Sequence, residues 1–319
     1  VHRPDSDPLV RFVDDVDVPA GLVLAHHLTG FSDAGSAASN AVTALLTDHH
    51  RVDVAHLDAD VLVDHRSRRP TMHFDTDRWV SYEAPHITVS LLRRHDDPGQ
   101  ALLLLHGLEP DVRWEAFTRA VIDMVRRLQV RLVVGLNAIP MGVPHTRPAG
   151  VITHGTNADL VRGRRAWIGQ VRVPGSIGSL LELRLGEAGL DAVAFTVNVP
   201  HYVASSEYPD AAAVLLEHLS GVSGVPIDVD GLRVRAVQTR GEIDAEVAKS
   251  PEVAAVVQAL EEQYDNLSET AASDLRNDLP DADELGAELE RFLAENDRET
   301  GAGDPGQGSG PLGPGGNGR

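Results

Sequence analysis

Gly30-Phe31-Ser32-Asp33-Ala34-Gly35 separates an apolar run, Leu22-Val23-Leu24-Ala25, from an alanine-rich stretch, Ala37–Leu46. A tight glycine-bearing turn from a buried strand into a helix is where an α/β protein exposes backbone N–H groups and a helix N-terminus. Asp33 or Ser32 is suited to cap that helix. The turn marks an edge of the fold where a site can lie, without saying what the site does.

The same alternation continues outward. Apolar runs predict strands over Val23–His27, Val52–Leu57, Ile87–Leu92, Ala101–His106, Arg131–Leu136, Gly150–His154 and Ala192–Val197. Amphipathic stretches predict helices over Ser36–Thr47, Trp114–Gln129, Asn157–Val161, Ser176–Glu187 and Ala211–Leu219. Leu102-Leu103-Leu104-Leu105 and Leu132-Val133-Val134-Gly135-Leu136 have no polar face, as strands covered on both sides require. Strands alternating with helices predict βαβ units, hence a three-layer α/β/α sandwich on a mostly parallel sheet.

The texture changes beyond Gly241. Residues 241–300 hold 18 acids against Lys249, Arg276, Arg291 and Arg298, so most of the net charge of −20 sits there. Ser250-Pro251-Glu252 is a strong helix start. It leads a stripe of Val253, Val256, Val257, Leu260, Tyr264 and Leu267, and a second acidic helix is expected over Asp283–Glu295. From Gly301 to Arg319 nine of nineteen residues are Gly and three are Pro, a composition that predicts disorder. The reading is therefore an N-terminal extension (1–20), an α/β domain (21–240), an acidic helical appendage (241–300) and a disordered tail (301–319). Gly301–Gly306 matches a dinucleotide fingerprint as a string, but no strand precedes it and no helix follows.

Composition excludes several classes. With no cysteine there is no disulfide framework, thiolate zinc site or cysteine nucleophile. The acidic balance argues against nucleic acid, which needs clustered Lys and Arg. No run approaches the roughly 18 apolar residues of a membrane span, and Val1-His2-Arg3-Pro4-Asp5 lacks a signal-peptide pattern, so a cytoplasmic protein is expected. The 15 histidines show no metal-ligand spacing; His26 and His27, neighbours on a strand, point to opposite faces. No cofactor is expected, and Gly175-Ser176-Ile177-Gly178 reads as a capped helix start rather than a nucleophile elbow.

The polar residues gather on loops that follow apolar strands. His106-Gly107-Leu108-Glu109-Pro110-Asp111 leads to Trp114; Ile139-Pro140-Met141-Gly142-Val143-Pro144-His145-Thr146-Arg147-Pro148 follows the 131–136 strand; Asn198-Val199-Pro200-His201-Tyr202 is followed by Glu207. In a parallel sheet the carboxyl ends of the strands form one edge, where ligands bind. Asp33, His106, Glu109, Trp114, His145, Arg147, His201 and Glu207 form the candidate pocket, with helix capping and loop ties as the alternative role. Arg147 is the best anion contact among them, or else a salt-bridge partner of Asp33, Glu109 or Glu207.

Taken together, the Gly30–Gly35 turn, the His106–Asp111 loop with Trp114, the Ile139–Pro148 loop and Val199-Pro200-His201-Tyr202 resemble the PAC2 family, named after the second proteasome assembly chaperone, in its actinobacterial branch. The resemblance runs from about Gly21 to Leu219. It implies an α/β/α sandwich like that of nucleoside phosphorylases and peptidyl hydrolases, and a frequently homo-oligomeric protein. The better understood relatives are non-enzymatic chaperones of proteasome assembly, so proteasome subunits or other proteins are the implied partners. Such chaperones can dock through a C-terminal hydrophobic-Tyr-X tail, and docking of that kind is not expected of a chain ending Asn317-Gly318-Arg319. A carboxylate–amine ligase label also attaches to some members. ATP-grasp ligases place lysines on the phosphates, and Lys249 is the one lysine present. Two readings remain: an oligomeric interaction protein, and a small-ligand binder or phosphorylase- or hydrolase-like enzyme built on the strand-end loops.

Overall fold

The computed structural model describes residues 9–163 and 170–277, and of 267–277 the backbone alone. In chain order the elements are β1 (Val10–Phe12), β2 (Val23–Thr29), α1 (Ala37–Asp48), β3 (His49–Leu57), α2 (Ala59–Leu62), β4 (Met72–Asp75), β5 (Arg78–Tyr82), β6 (Ile87–Arg94) and β7 (Ala101–Leu108). There follow α3 (Trp114–Arg127), β8 (Leu132–Met141), β9 (Val151–Gly155), α4 (Ala158–Val161), α5 (Ile177–Glu187), β10 (Ala192–Pro200), α6 (Pro209–Ser223), α7 (Asp230–Val247) and α8 (Pro251–Asn277). The expected helix over Asp283–Glu295 and the tail lie outside the described residues.

Eight strands form one sheet in the order β1-β3-β6-β7-β2-β8-β10-β9, and β4 pairs with β5 in a separate hairpin. The central strands β7, β2, β8 and β10 are parallel neighbours. β6 is antiparallel to both β7 and β3, while β1 and β9 run antiparallel to β3 and β10. Five strands (β3, β7, β2, β8 and β10) thus point one way. Chain length explains the exceptions: the six residues between β6 and β7 are too few for a crossover, so that pair closes as an antiparallel ladder.

The continuous apolar strands are buried on both faces. Leu102 and Leu104 enter the layer of α1 and α6, while Leu103 and Leu105 enter the layer of α3 and α5. Alternation along a strand directs them so. The first layer is built for close approach: Ala37, Ala38 and Ala41 of α1 and Ala211, Ala212 and Ala213 of α6 are fully buried in one cluster. Larger side chains there would overpack at a cost of about 1–3 kcal/mol each. The second layer is filled by Phe117, Val121, Leu181 and Leu185, and burying each of these side chains contributes roughly 1.5–3 kcal/mol.

Four elements are not evident in the sequence: β1, α2, the β4–β5 hairpin and α7. The expected boundary at Gly241 falls inside α7. The described residues through Tyr264 form one compact unit, and the described residues from Asp265 onward belong to a second. Within α8 the expected stripe is split: Val257 is buried, but Val253 and Val256 are exposed.

Candidate functional site

The carboxyl ends of β2, β7, β8 and β10 carry the loops singled out above. After β2, Gly35 (φ 67°) and Ser36 (φ 49°) are both left-handed, which turns the start of α1 back onto Asp33. The Asp33 carboxylate accepts the Ala38 N–H at 2.8 Å and the Ser39 N–H at 3.0 Å. It is a helix cap, sitting where an anion favours the helix dipole. Glycine is required at position 35, because a Cβ would lie 2.7 Å from Tyr208 Cβ. His27 stands beside the cap. Burial holds its pKa below the usual value despite the neighbouring Asp33. The neutral ring donates from Nδ1 to Leu136 O (3.2 Å), which leaves Nε2 to accept from the Ser39 hydroxyl (3.4 Å).

Glu109, after β7, is buried, and its Oε1 accepts the Ile177 N–H at the start of α5 (2.7 Å). Its own N–H donates to Thr29 O, tying the β7 loop to the end of β2. Arg68 completes the tie: Nη1 donates to Thr29 O (3.2 Å) and Glu109 O (3.0 Å), and Nη2 pairs with Asp111 at 3.0 Å. The guanidinium occupies the space that a Gly30 side chain would take, 2.6 Å from such a Cβ. Trp114 donates from Nε1 to Pro110 O at 2.6 Å, closing the first turn of α3.

His106 lies within the sheet rather than on its edge, as the register partner of His27. The Ser90 hydroxyl donates to Asp53 (2.9 Å), so His106 Nε2–H donates to Ser90 Oγ (3.0 Å). Burial, aided by the nearby His86, pushes the His106 pKa down to about 4.

The loop after β8 is held from another direction. His145 is buried; its Nδ1 lies 2.6 Å from the Tyr202 hydroxyl and its Nε2 3.0 Å from Asp244 of α7. A carboxylate only accepts, so Nε2 carries the proton and the Tyr202 O–H donates to Nδ1. The same Tyr202 oxygen accepts the His145 N–H, and Arg240 of α7 donates to His145 O at 2.8 Å. From α8, Glu261 accepts from the Thr146 hydroxyl and pairs with Arg147 at 3.5 Å, and Tyr264 donates to Pro148 O. Residues 145–148 are thus a seat for α7 and the start of α8. His201 is exposed with its ring edge-on to Tyr202, and Glu207 is exposed.

The eight candidate residues therefore occupy separate places instead of lining one pocket. Asp33 and Glu109 receive the N-termini of α1 and α5, Trp114 closes α3, His106 is in the sheet, His145 and Arg147 lie under α7 and α8, and His201 and Glu207 face solvent. Strand order explains this: the loops share an edge, but helices entering and returning to that edge take up its polar groups one by one.

A cavity does exist, on the α5 side of the sheet above β8, β10 and β9, with a volume of about 1020 Å³. Its lining includes His26, Asn137, Ile139, Ile152, Ala194 and Thr196. Of these polar residues only His26 stands out in the sequence, as half of the His26-His27 pair; the signal for the others is that each interrupts an otherwise apolar strand on the same face. His154, also on the wall, pairs with Glu182 at 2.8 Å, and this bond raises its pKa against the opposing effect of burial. Among the described residues, no group of three or more His, Asp or Glu side chains is placed to hold a metal ion. No described helix is long and apolar enough to cross a membrane.

These features define an α/β/α protein whose strand-end loops anchor helices. The PAC2 family model matches residues 27–248, and the chain belongs to the PAC2 family. No functionally curated protein matches it. Among solved structures, the chain is similar to Rv2714, a Mycobacterium tuberculosis protein of unknown function. The two are 37% identical, covering 86% of this chain and 94% of that one, with a TM-score of 0.78. A Corynebacterium glutamicum protein of unknown function is 32% identical over 81% of this chain and 97% of its own, with a TM-score of 0.76. The M. tuberculosis proteasome-assembly chaperone homologue Rv2125 is 27% identical, covering 74% of this chain and all of its own, with a TM-score of 0.68.

Proposed function

We propose that this protein acts in the cytoplasm by engaging other protein chains, as a homo-oligomeric, assembly-type chaperone whose partners include proteasome subunits. The observation that carries this reading is the β4–β5 hairpin. Met72, Phe74, Trp79, Val80 and Tyr82 are 50–61% exposed, and Phe74 meets Trp79 edge-on at 5.0 Å between ring centroids. A lone two-stranded hairpin is marginal in water, and clustered exposed aromatics mark interaction surfaces. The likeness to Rv2125, a proteasome-assembly chaperone homologue, supplies the class of partner. The loop polar groups support the reading too, since Asp33, Glu109 and His145 are engaged in holding helices.

Light scattering after size exclusion, and native mass spectrometry with purified proteasome α subunits, test this. The wild type is expected to self-associate and to form a complex with α subunits. A Phe74→Ser/Trp79→Ser variant is expected to keep its circular dichroism and lose both. A monomeric wild type that leaves α-subunit assembly unchanged overturns the proposal.

A further inference from the structure

Of the polar side chains that line the cavity above β8 and β10 without a hydrogen bond to any described residue, three stand on the sheet itself: His26, Asn137 and Thr196. They come from three adjacent parallel strands. Asn137 and Thr196 are register partners on β8 and β10, and His26 is the partner of Gly135, two residues before Asn137 on the same face. His26 is 6% exposed and Thr196 9%. Polar groups so buried are ordinarily paired, because an unmade hydrogen bond away from bulk water destabilises the fold. The buried histidines His27, His106 and His145 each have partners, while Asn40 Nδ2, His49 Nε2 and Asn198 Oδ1 are buried atoms without one and do not line this cavity. The row on this face differs from those isolated atoms in that its three side chains, with Asn137 half-buried, share one cavity wall.

The surroundings fix its chemistry. The His26 ring is cradled by two glycines; a Cβ at Gly135 would lie 3.1 Å from its Nε2 and one at Gly178 3.4 Å from its Cε1. Burial depresses its pKa to about 4, so near neutrality it is an uncharged imidazole with one donor and one acceptor. A carboxamide and a hydroxyl, Asn137 and Thr196, also offer both roles. The adjoining wall is apolar, with Ile139, Ile152 and Ala194, and the charged groups of the described lining are Arg172 and the paired His154 and Glu182. Volume and lining fit a small-molecule site.

We propose that this cavity binds an uncharged, mainly apolar small molecule with an amide-like donor–acceptor edge, held by Asn137 and Thr196 with His26 beside them. The site is independent of the hairpin, so its failure leaves the protein-interaction reading standing, and the converse holds.

Titration of the full chain with 2-naphthamide, followed by probe fluorescence and calorimetry, tests this, with the anionic 2-naphthoate as control. Saturable binding of one 2-naphthamide per chain is expected, at least ten-fold tighter than 2-naphthoate. Asn137→Leu and Thr196→Val should each weaken it about ten-fold or more, and Thr196→Ser should retain it. Without probe, Asn137→Leu should melt at or above the wild-type temperature, since it removes a polar group that has no partner in the empty protein. Non-saturable binding, equal binding of the naphthoate, or unchanged affinity in both apolar variants overturns the proposal. So does an Asn137→Leu protein that melts well below wild type, because Asn137 would then have a structural partner.

Discussion

The seat at residues 145–148 and the cavity above β8 and β10 lie on the same strands, yet they treat polar groups in opposite ways. In the seat every conspicuous side chain is paired: His145 between Tyr202 and Asp244, Thr146 and Arg147 on Glu261. On the sheet face of the cavity, three are left without a partner among the described residues. A histidine or arginine that stands out on a strand-end loop here ties a returning helix. Among polar residues that interrupt apolar strands, His27 and His106 are taken up by hydrogen bonds, and the row on the cavity face is what the proposed ligand would meet.

The largest test of that contrast is pH. The unfolded chain protonates His26 and His106 near 6.5, whereas the folded protein resists until about 4. Stability therefore falls as pH drops from 6.5 to 4 and levels off below, by about 3 kcal/mol for each histidine. Urea denaturation across that range should show the decline, and His26→Leu should remove its own share; a curve of unchanged slope in that variant breaks the comparison. Next in size, His145→Ala should cost about 2–3 kcal/mol by leaving Tyr202 and Asp244 without their shared partner. Hydrogen exchange should then quicken in α7 while β8 stays protected. Glu261→Gln removes the partly exposed pair to Arg147 and should cost only about 1 kcal/mol. The smallest effect carries the opposite sign: Thr196→Val, which deletes a hydroxyl with no partner, should stabilise the empty protein by roughly 0.5 kcal/mol in the same urea assay.

The fold was largely legible because its strands are buried on both faces and so read as unbroken apolar runs. What escaped does not follow that rule. The β4–β5 hairpin exposes its aromatics, so no apolar face alternates with a polar one. α7 buries only Leu232 among its residues and leaves Val234 and Val237 exposed, which hides any helical stripe. The candidate site was legible only as an edge. That Asp33 caps α1 follows from local spacing, but that His145 meets Asp244 depends on α7 returning to the loop, 99 residues away in the chain. Nothing local to the Ile139–Pro148 segment encodes that return. His26 was visible as one of an adjacent pair pointing to opposite faces; that its face opens on a cavity depends on where α5 begins.

Arg68 has one more consequence. It lies four residues before β4 and grips the carbonyls of Thr29 and Glu109 through the space that Gly30 leaves open. Positions 30 and 68 are therefore a linked pair. A side chain at 30 would evict the guanidinium, and even with Arg68 gone its Cβ would meet Glu109 Cβ at 2.9 Å, so across homologues a change at 30 should be accompanied by one at 68 but not the reverse. The linkage is also mechanical: a load applied to the hairpin is transmitted through Arg68 to the ends of β2 and β7, so a partner that takes hold of the arm also pulls on the sheet.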